Sequence, residues 1–243
     1  MLRSAKDLER YVVHAAEDEI GRIHDLYFDD HQWTIRHLVI STGGWLTRHR
    51  ALVPLASIRR IDDTKRIVLL SVTRDQVANG PGIDSDRPVS HQHEVELHRH
   101  YGFPYYVTAP FPLKYPHRWT EPGDPHLRSA REVTGYLVRE IHDDVGRVAD
   151  FLVDDTSWTI SYLIVDTGEW WPGKQVLVSP GWVEGIRWEG AEVVVGLSRE
   201  AIRGAPAYDA SRPVDRDYET RLRGHYGRPD GPGRGPGRGE LPS

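Results

Sequence analysis

Four histidines, His91, His93, His98 and His100, cluster with Glu94 and Glu96 in one short stretch. Imidazole with carboxylate is the donor set that holds zinc or nickel, and residues three or four apart on a helix share a face. His93 and Glu94 lie one turn from Leu97 and His98, so a metal site is the first chemistry to consider. Carboxylate pairs are the second. Asp29-Asp30 and Asp154-Asp155 each follow an aspartate four residues earlier, Asp25 and Asp150. Adjacent residues at a strand end point to opposite faces, whereas a general acid and base must converge on one substrate atom. Aspartates that hydrogen-bond their own backbone in a turn fit this spacing better. Asp25 is expected to pair with Arg22 or Arg36 on the surface.

Other chemistries find no footing. The 243 residues include no cysteine, which excludes disulfides, thiolate metal sites and cysteine nucleophiles and suits a reducing cytoplasm. No Gly-x-Ser-x-Gly elbow, phosphate-binding loop or dinucleotide-binding glycine pattern occurs. No motif asks for a cofactor. With 38% hydrophobic and 28% charged residues the composition is that of a soluble globular protein. A net charge of −5 gives no general attraction for nucleic acid or anionic lipid. Apolar runs such as Leu38-Val39-Ile40 are far shorter than the about 20 residues of a membrane span, and Met1 to Lys6 lacks the apolar core of a secretion signal.

The elements that must position these residues emerge from self-comparison. An offset of about 125 residues aligns the two halves without a gap. Leu2-Arg3-Ser4-Ala5 falls on Leu127-Arg128-Ser129-Ala130, Gly21-Arg22 on Gly146-Arg147, and Asp29-Asp30 with Trp33-Thr34-Ile35 on Asp154-Asp155 with Trp158-Thr159-Ile160. Thr42-Gly43 and Trp45 fall on Thr167-Gly168 and Trp170, and His100-Tyr101-Gly102 on His225-Tyr226-Gly227. Roughly a third of the aligned positions are identical, so the chain reads as a tandem duplication. The boundaries follow: residues 1–102 as a first repeat, 103–126 as a linker rich in proline and aromatics, 127–227 as a second repeat, and 228–243 as a disordered Gly/Pro/Arg tail. The repeat also weighs against the metal site. The counterparts of His91, His93, His98 and His100 are Arg216, Tyr218, Arg223 and His225, so one histidine of four is retained. A solvated polar helix is the expected reading.

Within each repeat, Ser4 with Asp7 and Ser129 with Glu132 are capping signatures of a short helical turn. Strand-like runs follow at Tyr11 to Ala15, Ile20 to Phe28, Trp33 to Thr42, Ala51 to Pro54 and Ile67 to Val72, with Asp29 to Gln32 forming a hairpin turn. Gly21 and Gly146 inside a strand pattern predict a bulge or bend. Thr73 with Gln76, and Ser198 with Glu200, predict another helical turn. Ser90 to Tyr101 and Asp215 to Tyr226 read as a short terminal helix. No helix is long enough to cover a sheet face, so the expected architecture is all-β, a small barrel that closes on itself to remove its edges.

Gly21 to Asp30 followed by Trp33 to Gly43, and again Gly146 to Asp155 followed by Trp158 to Gly168, resemble the PRC-barrel family. The family is named for the cytoplasmic domain of the photosynthetic reaction-centre H subunit, and similar barrels end the ribosome-maturation factors. The resemblance implies two small PRC-type β-barrels in tandem, each followed by a short helix. It supplies no catalytic residues. It implies a non-enzymatic docking or scaffold module that binds protein partners, in a cytoplasmic setting, with a homo-oligomer left open. Two alternatives remain: an RNA- or ribosome-associated maturation factor using the arginine-rich tail and the Arg22, Arg36, Arg48 and Arg50 side of the first barrel, and an accessory of photosynthetic electron transfer like the H subunit. The tryptophans Trp33, Trp45, Trp158 and Trp170 recur in both repeats and suit a core or a rim. Trp45, Trp170, Trp171 and Trp182 are the candidates to anchor a partner, with Trp171 and Trp182 extra in the second repeat.

Overall fold

The structure, a computed structural model, describes residues 1–16, 18–43, 50–81, 91–103, 127–140, 143–168 and 173–227, with the backbone alone for residues 91–95. Two compact units form. The first comprises Met1 with residues 3–133 and 153–160, and the second Leu2 with residues 134–152 and 161–243.

In chain order the first stretch runs β1 (Leu2–Ser4), α1 (Ala5–Leu8), β2 (Val12–Ala15), β3 (Asp18–Asp29), β4 (Thr34–Ser41), β5 (Arg50–Pro54), β6 (Ile58–Asp62), β7 (Ile67–Leu70), α2 (Arg74–Ala78) and α3 (His91–Tyr101). The Ser4 hydroxyl accepts from the Asp7 amide and caps α1; Thr73 and Gln76 form a reciprocal capping box on α2. β3 and β4 form the long hairpin, with Asp29 opposite Thr34, and two irregularities interrupt its register. One lies between Ile23 and Asp25, and the pairing of β3 with β2 shifts beside Gly21, whose φ is +144°. A Cβ there would run into the Ser41 carbonyl, so only glycine lets β3 and β4 approach this closely. The turn puts Trp33 at a φ of +56°, a left-handed conformation that costs a bulky residue about 1 kcal/mol. Its amide donates to the Asp29 carbonyl at 2.7 Å and its ring stacks on Phe28, which together hold it there.

Strand order in the first unit is β6-β7-β2-β3-β4-β5, with β2 and β7 parallel. Among the described residues the pairing does not close into a ring, in contrast to the expected closed barrel. The physical reason is at β5. Pro54 ends the strand and a 3-10 turn, Leu55–Ser57, carries the chain away to β6. Helix α3 then lies on β5, and the Tyr101 hydroxyl donates to the Leu52 carbonyl at 3.2 Å. The edge is covered by a helix, which solves the exposure problem that closure would solve. β6, foreseen only as Ile58 and Ile61 between strands, is a full strand opposite β7. Val13, Ile20, Ile23, Leu26, Phe28, Ile35, Leu38, Ile40, Leu52 and Val68 fill the core with Leu97 of α3.

The second unit draws on β9 (Leu137–Glu140), β10 (Asp143–Asp154), β11 (Thr159–Asp166), β12 (Gln175–Val178), β13 (Val183–Arg187), β14 (Glu192–Val195), α5 (Arg199–Gly204) and α6 (Arg216–Tyr226); they are preceded by β8 (Leu127–Ser129) and α4 (Ala130–Val133), which belong to the first unit. Its order is β13-β14-β9-β10-β11-β12, and β9 and β14 are parallel. Val12 faces Ile67 in the first unit and Leu137 faces Glu192 in the second, the same register 125 residues on. Tyr218, Leu222 and Tyr226 of α6, at four-residue spacing, form its buried stripe.

Candidate functional site

Asp25 and Asp29 lie on β3 and Asp30 just beyond it, in the first unit, which also holds Asp154 and Asp155. Asp25 is not on the surface as expected; it is 1% exposed. Its Oδ1 accepts from the amides of Leu26 (2.7 Å) and Arg131 (3.0 Å), and its Oδ2 accepts from the Ser129 hydroxyl at 2.5 Å. A buried carboxylate is tolerable only when its oxygens are satisfied in this way. Ser129 also caps α4, its Oγ accepting from the Glu132 amide at 2.8 Å. β8 lies antiparallel to β3, with Ser129 opposite Tyr27 and Leu127 opposite Asp29. Leu127, Ala130 and Val133 are buried beside it. The segment 127–133 thus adds a strand and a helical turn to the first unit.

Asp30 completes this cradle. The Arg128 Nε donates to it at 2.6 Å. Burial pushes the Asp30 carboxyl up from its ordinary range, and the Arg128 charge only partly offsets that. A matching pair occurs in the same unit. Asp155 is pushed up by burial, but hydrogen bonds from the Met1 amino group (2.6 Å) and from Arg3 Nε (2.7 Å) prevail and hold it below the usual carboxylate value. Asp29 behaves as a turn aspartate, accepting from the amides of His31 and Gln32, both at 2.9 Å; Asp154 does so from Thr156 at 2.8 Å. The carboxylates therefore engage backbone and arginine and do not converge on a shared point.

The histidine stretch divides. Only the backbone of His91 and His93 is described. His98 is 1% exposed, so α3 is not the solvated helix expected at that position. Its ring meets His37 of β4 edge to face at 5.6 Å, and His37 is fully buried too. Burial, helped by the charge of Arg36, lowers the His98 imidazole to about 4. His100 points elsewhere: its Nε2 donates to the Gln76 carbonyl at 2.8 Å, tying α3 to α2. Among the described residues no group of three or more potential ligands is placed to hold a metal ion.

Of the tryptophan candidates, Trp45, Trp170 and Trp171 lie outside the described residues. Trp182 is 4% exposed and packs on Tyr226 with ring centroids 4.3 Å apart, so it is a core contact and not an exposed anchor. Trp33 and Trp158 are buried, as a core position requires. Trp188, which has no counterpart among those candidates, is 41% exposed beyond β13.

Sequence reasoning missed Asp25 as a buried acceptor with Ser129 as its donor, and Arg128 and Arg3 as the partners of Asp30 and Asp155. A signal was present: Leu-Arg-Ser-Ala occurs at both residues 2–5 and 127–130, more than a capping turn needs. Residues 4–77 match the PRC-barrel domain family. A PRC-barrel domain therefore lies in the first unit. The matched range runs from α1 to α2 and contains Asp25 and Asp30, whereas the segment 127–133 that caps them lies outside it. No curated protein matches the chain. Among the described residues no helix is long and apolar enough to cross a membrane.

Proposed function

We propose that the chain is a tandem duplication of a PRC-barrel module and acts in the cytoplasm as a non-enzymatic, protein-binding adaptor or scaffold. The carrying observation is the state of the acids. Asp25, Asp29, Asp30, Asp154 and Asp155 each engage backbone amides or cations within the fold, which is the chemistry of a structural frame. The duplication is supported by geometry that recurs at the same offset: Tyr101 and Tyr226 donate to the carbonyls of Leu52 and Leu177, each at 3.2 Å. His100 and His225 likewise bond the carbonyls of Gln76 and Ala201.

Affinity capture from the native organism, followed by binding of the purified candidate to the purified chain, tests the reading. A stoichiometric protein complex that survives about 0.5 M salt, where exposed charge contacts are screened, is the expected result. Turnover of a substrate, abolished by point changes in one cluster of side chains, would overturn it. Capture of RNA with an affinity that falls steeply with salt would favour the maturation-factor alternative instead.

A further inference from the structure

The first unit is built from both repeats, and the contacts between their segments are reciprocal. Arg128 pairs with Asp30, and Arg3, its counterpart 125 residues earlier, pairs with Asp155, the counterpart of Asp30. The Ile35 amide donates to the Trp158 carbonyl at 2.8 Å, and the Ile160 amide to the Trp33 carbonyl at 2.7 Å. Thr34 faces Thr159, its own counterpart. A relation in which i meets j+125 while i+125 meets j is isologous; it is the pattern of a two-fold homodimer, and a head-to-tail array does not produce it.

We infer that the Asp25–Asp30 face of β3 is a docking surface whose partner is the opening segment of another copy of the same module, a Leu-Arg-Ser-Ala strand followed by a helical turn. Each part of that segment has a receiver. Leu127 is buried against the unit, Arg128 meets Asp30, Ser129 meets Asp25, and the Arg131 amide, freed at the start of α4, meets the other Asp25 oxygen. The backbone pairs along β3 from Asp29 to Tyr27, so strand addition supplies affinity and the two acids supply selectivity. The segment binds here because its residues fit, not because the linker forces it. Since Leu2-Arg3-Ser4-Ala5 repeats the same four residues, a second copy of this chain carries the same ligand.

The test starts from the folded full chain. A protease site inserted between residues 104 and 126 is cleaved after folding, and the nicked protein is followed by native mass spectrometry and size exclusion at micromolar concentration. The expected result is that the two pieces stay together. Mixing isotopically labelled and unlabelled nicked protein then yields hybrid complexes. Arg128→Ala and Ser129→Ala each weaken the association of the nicked pieces about tenfold or more, while the uncut variants keep the circular dichroism of the parent. Pieces that separate on nicking overturn the inference. So does an association that neither substitution weakens, because the segment would then not be what is recognised. Neither result bears on partner capture by the whole chain, so this inference and the adaptor reading fail separately.

Discussion

The terminal helix of each unit is held by the same kind of contact, yet what lines it differs. In the first, His98 of α3 is buried against His37 of β4. In the second, the counterparts are Arg223 and Tyr162: the Tyr162 hydroxyl donates to Glu219 at 3.1 Å, and Arg223 reaches Glu219 one turn away at 3.2 Å on the exposed side. Burial first, and then Glu219, push the Tyr162 phenol up. Common to both is the frame, a tyrosine hydroxyl on a strand carbonyl and a histidine nitrogen on a helix carbonyl. The frame sets the position of the helix and the lining is free to vary; with the His98 imidazole lowered by burial, the first unit is expected to be the more acid-sensitive one.

Exchanging the variable residues tests that division most severely. His98→Arg places a permanent charge where the side chain is 1% exposed, and it should destabilise the protein by about 3–4 kcal/mol or prevent folding. Arg223→His, on the exposed side, should change stability by less than about 0.5 kcal/mol. Urea unfolding of both variants checks the contrast; equal losses would remove it.

Acid provides the next largest effect. Above its ordinary value of 6.5 the His98 imidazole is neutral in both states and contributes nothing. As pH falls from there towards about 4, the unfolded chain binds a proton that folded His98 refuses, so stability declines. The loss should reach about 2–3 kcal/mol near pH 4. His98→Leu should flatten that part of the profile, and a variant with the parent's slope would show that His98 is not the sensor.

Smaller effects probe the shared frame. Tyr101→Phe and Tyr226→Phe should each cost about 1 kcal/mol in thermal or urea unfolding, because each leaves a buried carbonyl without its donor. A large inequality would show that the frame is not equivalent in the two units. Arg223→Ala, removing an exposed i,i+4 pair, should cost about 0.3–0.5 kcal/mol, and the difference should vanish in about 1 M salt.

Most strands were legible in the sequence because alternation and β-branched runs report local burial. The Asp29 turn, the caps at Ser4, Ser129 and Thr73, and the helices ending at Tyr101 and Tyr226 all follow from contacts within a few residues. β6 was harder: Ile58-Arg59-Arg60-Ile61-Asp62 has only two apolar residues, and its partner β7 confers its strand character. The closed barrel was the natural expectation from strand count alone. That α3 would cover β5 instead depends on Tyr101 meeting Leu52, 49 residues away in the chain.

By itself, then, the sequence determined the local elements and the turn chemistry of the aspartates, all set by short-range stereochemistry, and it shows Leu-Arg-Ser-Ala twice, 125 residues apart. Tertiary structure alone decided that His98 is buried, that Trp182 is core, and that Asp25 and Asp30 are met by Ser129 and Arg128. The acid contacts join residues 104 and 98 positions apart. Such partners are chosen by which faces and carboxylates must be removed from water together, a condition that local patterning does not encode.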